Sequence, residues 1–473
     1  MLSEIFKAYD VRATYGDPLD ENAAWKVGCA TGRFLKQQSG ITGAMANTVL
    51  VSRDMRPHSE ALAMSLIEGV RAAGLDVIDL GLCDTSFIYF AINHLQAAGG
   101  IQTTASHNPI EYNGFKISGS QAKPIGASSG LKEIQAQAES LGDRGSIAAT
   151  GRLEQQDLWC EYRKHVLGFF NPGSRKLKVF VDASNGMAGK MIPAVFGGIE
   201  ALEFVQLNFD MTGSFVHDPN PLVAENMKPT QDGVVAHSAD LGVCFDGDAD
   251  RCILTDEQGE IIGCDHLTAL LTSHFLAQSP GATVIYDLRS SKTVESTIRT
   301  HGGTPHRGRV GHVFMKALLR ETGGVFGGEL SGHFYFRDNF FADSGAIAFA
   351  AVASVLSQTD QTLSELVAPY RCYPQSGEIN FRVTHKDIPD PQAAKQAVID
   401  SLKQKYAHQA ELDELDGITV DAWDRPQGGW WFNVRQSNTE PLLRLNAEAK
   451  DQATLEGLLS DLRPILGQPL AGH

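Results

Sequence analysis

The chain has no excess of basic residues, no Cys-x-x-Cys pair and no apolar run of membrane length. Each absence excludes something. Its 40 lysines and arginines stand against 56 aspartates and glutamates, a net charge of -16, so the basic face needed for non-specific binding to nucleic acid or an anionic membrane is missing. A few arginines gathered in one cleft could still receive an anionic substrate. Seven cysteines, at 29, 83, 160, 244, 252, 264 and 372, are an odd number without paired spacing. That excludes a disulfide framework or a zinc site and reads as reduced thiols in the cytoplasm. The longest weakly polar stretch, "AIAFAAVASVL" at 346–356, falls short of the ~20 residues of a membrane span. The opening "MLSEIFKAYD" has no signal-peptide apolar core. No low-complexity segment or long charge run occurs. A soluble cytoplasmic protein of roughly three domains is expected from a length of 473 residues.

What is present is a repeated unit. "TVLVSRD" near 48, "KVFVDAS" near 178 and "TVIYDLR" near 283 are β-branched runs that end in polar turns and lead into helical stretches. Behind the first come "HSEALAMSLIEGVRAAG", apolar at helical spacing, and "LDVIDLG", a second strand. Strand–helix–strand units predict α/β domains with mostly parallel sheets. Composition breaks near 150, 255–265 and 370 divide the chain into 1–150, 151–255, 256–370 and 371–473. In the last segment "WWFNVR" and "LLRLNAEA" alternate apolar and polar about the loop "QSNTEP", which predicts two strands in a smaller α+β domain.

Four stretches carry chemistry. In "GVCFDGDADRC" (242–252), Asp246, Asp248 and Asp250 alternate with small residues at the end of an apolar strand. Three hard oxygen ligands so close suit one divalent cation, and magnesium suits an all-oxygen site that keeps room for a phosphate. An EF-hand beginning at Asp246 is rejected, because Arg251 stands where the turn glycine is needed and "CILTD" reads as a strand. An Asp-x-Asp phosphatase, with Asp246 as phosphoryl carrier, is the other chemistry the triplet allows. Arg251 supplies a cation to share a phosphate's charge. In "TTASHNP" (103–109), the Asn-Pro turn follows Ser106 at the end of a strand-like run. "GGELSGH" (327–333) sets Glu329, Ser331 and His333 among glycines, a set suited to sugar hydroxyls and proton transfer. "VRQSNTEPLLR" brings Arg435, Ser437, Asn438, Thr439 and Arg444 to one loop, a phosphate cradle without a P-loop.

These stretches, with "KAYDVR" (7–12), "TASHNPIEYNGFK" (104–116) and "DASNGMAGK" (182–190), stand in the order found in the α-D-phosphohexomutases. The chain resembles that family, and within it the bacterial phosphomannomutases and bifunctional phosphomannomutase/phosphoglucomutases. The resemblance runs from the first ten residues to near the end.

It implies three related α/β domains with mixed sheets and a smaller α+β C-terminal domain around a central cleft. It also implies interconversion of mannose 6-phosphate and mannose 1-phosphate, with glucose phosphates as further substrates, by a monomer or weak homodimer. Ser106 would carry a phosphoryl group and, with Asp246, Asp248 and Asp250, bind Mg2+; a hexose 1,6-bisphosphate would be intermediate and activator. Arg12, Lys116 and Arg251 would surround the transfer site. Glu329 and Ser331 would read hydroxyls, His333 and His312 would be candidates for proton transfer, and Arg435, Ser437, Asn438 and Thr439 would hold the other phosphate, with Arg444 a further substrate-binding candidate. Three departures stand out: Ala13 replaces the usual glycine after Arg12, Leu330 replaces a frequent Met, and "GRVGH" replaces the more common Lys-Thr-Gly-His, which leaves the role of Arg309 open.

Overall fold

The computed structural model describes residues 2–38, 45–383, 390–437 and 442–470. The repeated unit is there three times. Thr48–Arg53 runs parallel to Asp76–Leu82 through the helix Ser59–Ala72. Leu177–Asp182 runs parallel to Leu202–Leu207 through Ala188–Phe196, and Thr283–Asp287 to Thr304–Gly308 through Lys292–Thr300. Parallel neighbours need such a crossover, which explains the spacing read from the sequence.

The sheets built on these units are mixed, where mostly parallel sheets were expected from the pattern. Tyr112–Gly119 runs antiparallel between Val11–Thr14 and Gly99–Thr103, and the short strand Leu153–Gln155 completes this six-stranded sheet. In the second sheet Leu241–Phe245 lies parallel to Leu177–Asp182 and turns back antiparallel as Cys252–Thr255. That return strand is the reason the Asp246 loop cannot be an EF-hand. Phe334–Phe336 and Ala342–Asp343 are also antiparallel. The C-terminal sheet is antiparallel throughout, in the order Gln375–Arg382, Leu442–Ala449, Trp430–Gln436, Ile418–Asp421, Glu411–Asp413. The helices Pro391–Tyr406 and Gln452–Leu466 bury apolar residues in its core.

The chain forms two compact units. One comprises the chain up to Ile262 with Lys316–Gly327 and Ser331–Leu366; the other comprises Gly263–Met315, Gly328–Leu330 and the chain from Val367 onward. The apolar stretch near 350 is the helix Gly345–Ser357, buried almost all round inside the first unit. Among the described residues, no helix is long and apolar enough to cross a membrane. Ala13 lies within a strand, paired with Asn113 and outside the left-handed region, so the position makes no demand for glycine.

Two glycines set the packing of the first sheet's helices. A Cβ on Gly28, in the helix Glu21–Gln37, would lie 2.2 Å from the carbonyl oxygen of Leu66; one on Gly69 would lie 2.1 Å from that of Trp25. Each helix therefore presents bare backbone to the other. Alanine is the better helix former by ~1 kcal/mol in isolation, yet Gly28→Ala and Gly69→Ala should each destabilise by about 1–3 kcal/mol through overpacking. Urea unfolding midpoints report the sign.

Candidate active site

The three aspartates occupy the turn between Leu241–Phe245 and Cys252–Thr255, all buried. Each offers a carboxylate oxygen within 4.8 Å of the others. Gly247 is small because a Cβ there would lie 2.4 Å from the carbonyl oxygen of Ser106, and Ala249 takes a left-handed φ of 57° to turn the next carboxylate inward. Three buried like charges cannot persist unanswered. Lys116, on Tyr112–Gly119, places its ammonium 2.7 Å from Asp248 and 2.5 Å from Asp250. Thr85 donates to Asp248 from its hydroxyl at 2.5 Å and from its amide to the Asp248 carbonyl. Burial alone would raise the Asp248 carboxyl, but Lys116 outweighs it and holds it below the usual range. Burial also opposes the Lys116 charge, and Asp248 and Asp250 more than restore it. Asp246 is pushed up by burial and by repulsion from Asp248 and Asp250. Asp248 Oδ1 and Asp250 Oδ1 are buried without a hydrogen-bond partner among the described residues. Orphaned carboxylate oxygens of this kind fit a hard divalent cation.

Ser106 is brought onto this cluster by the loop after Gly99–Thr103. Its hydroxyl donates to Asp246 at 2.8 Å and lies 3.3 Å from His107 Nδ1. Desolvation, then Arg251 and Arg12, hold the His107 imidazole well below its ordinary pKa. Ser106 has φ 50°, a strained conformation for a residue with a side chain. Arg56 holds it there. This buried guanidinium donates to the carbonyls of Ser106, Asn108, Pro109 and Tyr112 at 2.6–3.1 Å and pairs with Asp54. Arg12 reaches the same loop, donating to Asn108 Oδ1 at 2.7 Å.

His333 and Arg251 close the other side of the triplet. Arg251 Nε donates to His333 Nε2 at 3.1 Å, and its backbone amide donates to Asp246. The opposite ring nitrogen, Nδ1, is 2.7 Å from Asp343, whose second oxygen is 2.7 Å from the buried ammonium of Lys316. Nδ1 therefore carries the proton and Nε2 is the basic nitrogen. The Ser331 hydroxyl is buried without a partner among the described residues.

The second unit holds a cationic cluster. Arg435 and Arg444 face each other on neighbouring strands, and Glu378 accepts from both at 2.9 Å. Arg289 lies 3.4 Å from Glu378, pairs with Asp287 at 2.7 Å and is 3.8 Å from Glu329. Glu329 accepts from the amide of Gly311; His312, next in sequence, opens the helix His312–Thr322 and is half-buried. Ser437 pairs through its backbone amide with Leu442. Asn438 and Thr439 lie outside the described residues. Arg309 stacks its guanidinium 4.4 Å above the Phe314 ring.

Ser106, Lys116, Arg12, the three aspartates, Arg251 and His333 thus form one connected network; Arg435, Arg444 and Glu329 belong to another. The residues that sequence reasoning missed are the supports. Arg56, Thr85, Asp343 and Lys316 serve the first network, and Arg289, Asp287 and Glu378 the second. Asp287 and Arg289 stand in the run "TVIYDLR", where they read only as a polar turn, and Lys316 is a lone cation inside "HVFMKALL".

Because burial, and then repulsion from Asp248 and Asp250, push the Asp246 carboxyl up, its ionised form costs stability that grows as pH rises from the unfolded carboxyl pKa towards the raised folded one. Asp246→Asn removes that cost. In excess chelator near neutral pH the variant should be more stable than the parent by about 1–3 kcal/mol, and magnesium should no longer raise its melting temperature. Thermal melts with and without Mg2+ report both outcomes.

Residues 3–144, 160–259 and 264–373 match, in order, alpha/beta/alpha domains I, II and III of the phosphoglucomutase/phosphomannomutase family, and 378–465 match its C-terminal domain. The phosphomannomutase of Salmonella typhimurium is 39% identical over 474 residues, covering 98% of this chain and 99% of that protein. A protein of Xanthomonas campestris named among phosphohexose mutases is 38% identical over 456 residues, covering 95% and 96%. A phosphoglucomutase/phosphomannomutase family protein from Burkholderia thailandensis, solved by X-ray crystallography, superposes with a TM-score of 0.87 at 30% identity over the full length of both chains. With three alpha/beta/alpha domains, an antiparallel C-terminal domain and a buried aspartate triplet against a serine loop, the chain belongs to the phosphoglucomutase/phosphomannomutase family of phosphohexomutases.

Proposed function

We propose that the protein interconverts mannose 6-phosphate and mannose 1-phosphate through a phosphoserine at Ser106 and a hexose 1,6-bisphosphate, and that it also acts on glucose phosphates. The observation that carries the reading is the Ser106 hydroxyl, 2.8 Å from Asp246 within the Asp246–Asp248–Asp250–Lys116 cluster. The phosphomannomutase and phosphohexose mutase names of relatives at 38–39% identity support the substrate class.

The bond between Ser106 Oγ and phosphorus breaks as the free sugar hydroxyl bonds to the phosphorus. His333 Nε2 takes the hydroxyl proton, while Lys116, Arg12 and Arg251 hold the phosphoryl oxygens. Asp246, Asp248 and Asp250, with the phosphoserine, would hold Mg2+. Bound there, the cation would stabilise charge on the transferring group and the departing serine oxygen. The bisphosphate then turns; Ser106 Oγ bonds to the phosphorus of its other phosphate as the bond from that phosphorus to the sugar oxygen breaks, and the proton held at His333 Nε2 passes to the released sugar oxygen. Arg435 and Ser437 hold whichever phosphate is not reacting, with Arg444 beside them. Glu329 and Ser331 contact the sugar hydroxyls, and His312 is the second candidate for moving a proton.

The purified protein should carry one phosphoryl group on the Ser106 peptide, absent in Ser106→Ala, as peptide mass mapping reads directly. Isomerisation should vanish with it. Phosphate mapped to Asp246, with free phosphate released in place of isomerised sugar, would select hydrolysis instead.

Substrate choice follows from the turn. Reversing the sugar approximately exchanges the 3- and 4-hydroxyls, so Glu329 and Ser331 can serve both poses. The 2-hydroxyl, where mannose and glucose differ, lands in no common place. Discrimination between the two should stay near ~1–2 kcal/mol. A kcat/KM ratio above about a thousandfold would show that the second carbon is read directly.

A further inference from the structure

Arg435 and Arg444 are directly opposed across an antiparallel pair. Like charges at such positions repel, and Arg289 adds a third guanidinium. One carboxylate touches all three. Glu378 Oε1 accepts from Arg444 at 2.9 Å, and Oε2 accepts from Arg435 at 2.9 Å and from Arg289 at 3.4 Å. A phosphate asks the same of these donors, since both anions offer oxygens to forked N–H groups. Burial alone would raise the Glu378 carboxyl; Arg435, Arg289 and Arg444 outweigh it and keep it ionised. With Asp287 and Glu329 beside Arg289, three guanidinium groups already face three carboxylates. An arriving phosphate dianion meets a neutralised cluster, with Glu378 at the centre of it.

We propose that Glu378 is a resident competitor for the phosphate at Arg435 and Arg444. It holds the two guanidinium groups together when phosphate is absent and, by its charge, weakens their grip when phosphate is bound. This inference rests on the reading of Arg435 as a phosphate-holding residue. It answers a requirement of that reaction, because the phosphate must be let go in mid-cycle for the bisphosphate to turn. A bare arginine pair would bind it tightly and hold the intermediate in one pose.

The test is calorimetric titration of inorganic phosphate and of glucose 6-phosphate into the parent, Glu378→Gln, Glu378→Asp and Arg435→Ala at fixed ionic strength. Glu378→Gln should bind both about tenfold more tightly, and its KM and kcat should fall together as release slows. Glu378→Asp, which keeps the charge, should stay near the parent. Glu378→Ala removes the charge with a different shape and is read in the same way should the glutamine variant not fold. A gain in affinity cannot come from structural damage, which only weakens binding. Equal or weaker binding by the folded uncharged variants, with Arg435→Ala still abolishing it, overturns the competitor and leaves the cradle standing. Binding that survives Arg435→Ala overturns the cradle and the competitor together.

Discussion

Three carboxylates on one buried turn are the constraint on which the first unit depends. Their mutual repulsion in a site screened from water is far larger than in solution, so the surrounding chain must supply opposite charge and directed hydrogen bonds at fixed positions. It draws them from three sources. Lys116 and Thr85 come from the first sheet and its helix, Arg251 from the turn itself, and Ser106 from a loop packed against Gly247. The first two sheets are therefore joined by polar chemistry as much as by apolar burial. Small residues between the aspartates have a double purpose: Ala249 permits the turn, and Gly247 admits the serine loop.

The serine is placed by strain held from behind. A left-handed φ at a non-glycine residue costs on the order of 1–3 kcal/mol and persists only where surrounding contacts over-determine it. Arg56 provides that over-determination, with four backbone carbonyls of the loop converging on one buried guanidinium. The same logic orders His333. Lys316 fixes Asp343, Asp343 fixes Nδ1, and the basic Nε2 is left on the side of Arg251 and the triplet. In both cases a buried cation determines, through an intermediate contact, where a candidate site residue points.

These supports explain what could and could not be read in the sequence. The strands Thr48–Arg53, Leu177–Asp182 and Thr283–Asp287 were legible because β-branched runs ending in polar turns are local signals. The aspartate triplet was legible because its spacing is itself the chemistry. The antiparallel insertion of Tyr112–Gly119 was not, since pairing partners are chosen by tertiary contact and leave no mark on periodicity. Glu378 is one acid in an alternating strand, with its arginines dozens of residues away. Asp343 precedes an apolar helix and resembles a cap, a role that falls to Ser344, whose side chain accepts from Ile347. A residue that acts by supporting another has no motif of its own.

The two charged clusters share one design, with the signs reversed. The anionic one holds its own cation, the Lys116 ammonium between Asp248 and Asp250. The cationic one holds its own anion, the Glu378 carboxylate among Arg435, Arg444 and Arg289. Each unit thereby answers part of its own charge before any ligand arrives, where a bare triplet or a bare arginine cluster would cost several kcal/mol more. The same arrangement reconciles an overall charge of -16 with a substrate that is itself anionic. The global field falls off over roughly a Debye length of 8–10 Å, whereas the arginine cluster acts at hydrogen-bond range. Under the proposal made for Glu378, recognition is a matter of exchange: a phosphate displaces or shares the contacts of the resident carboxylate, so affinity is set by a difference between two anions at the same donors and not by the number of arginines.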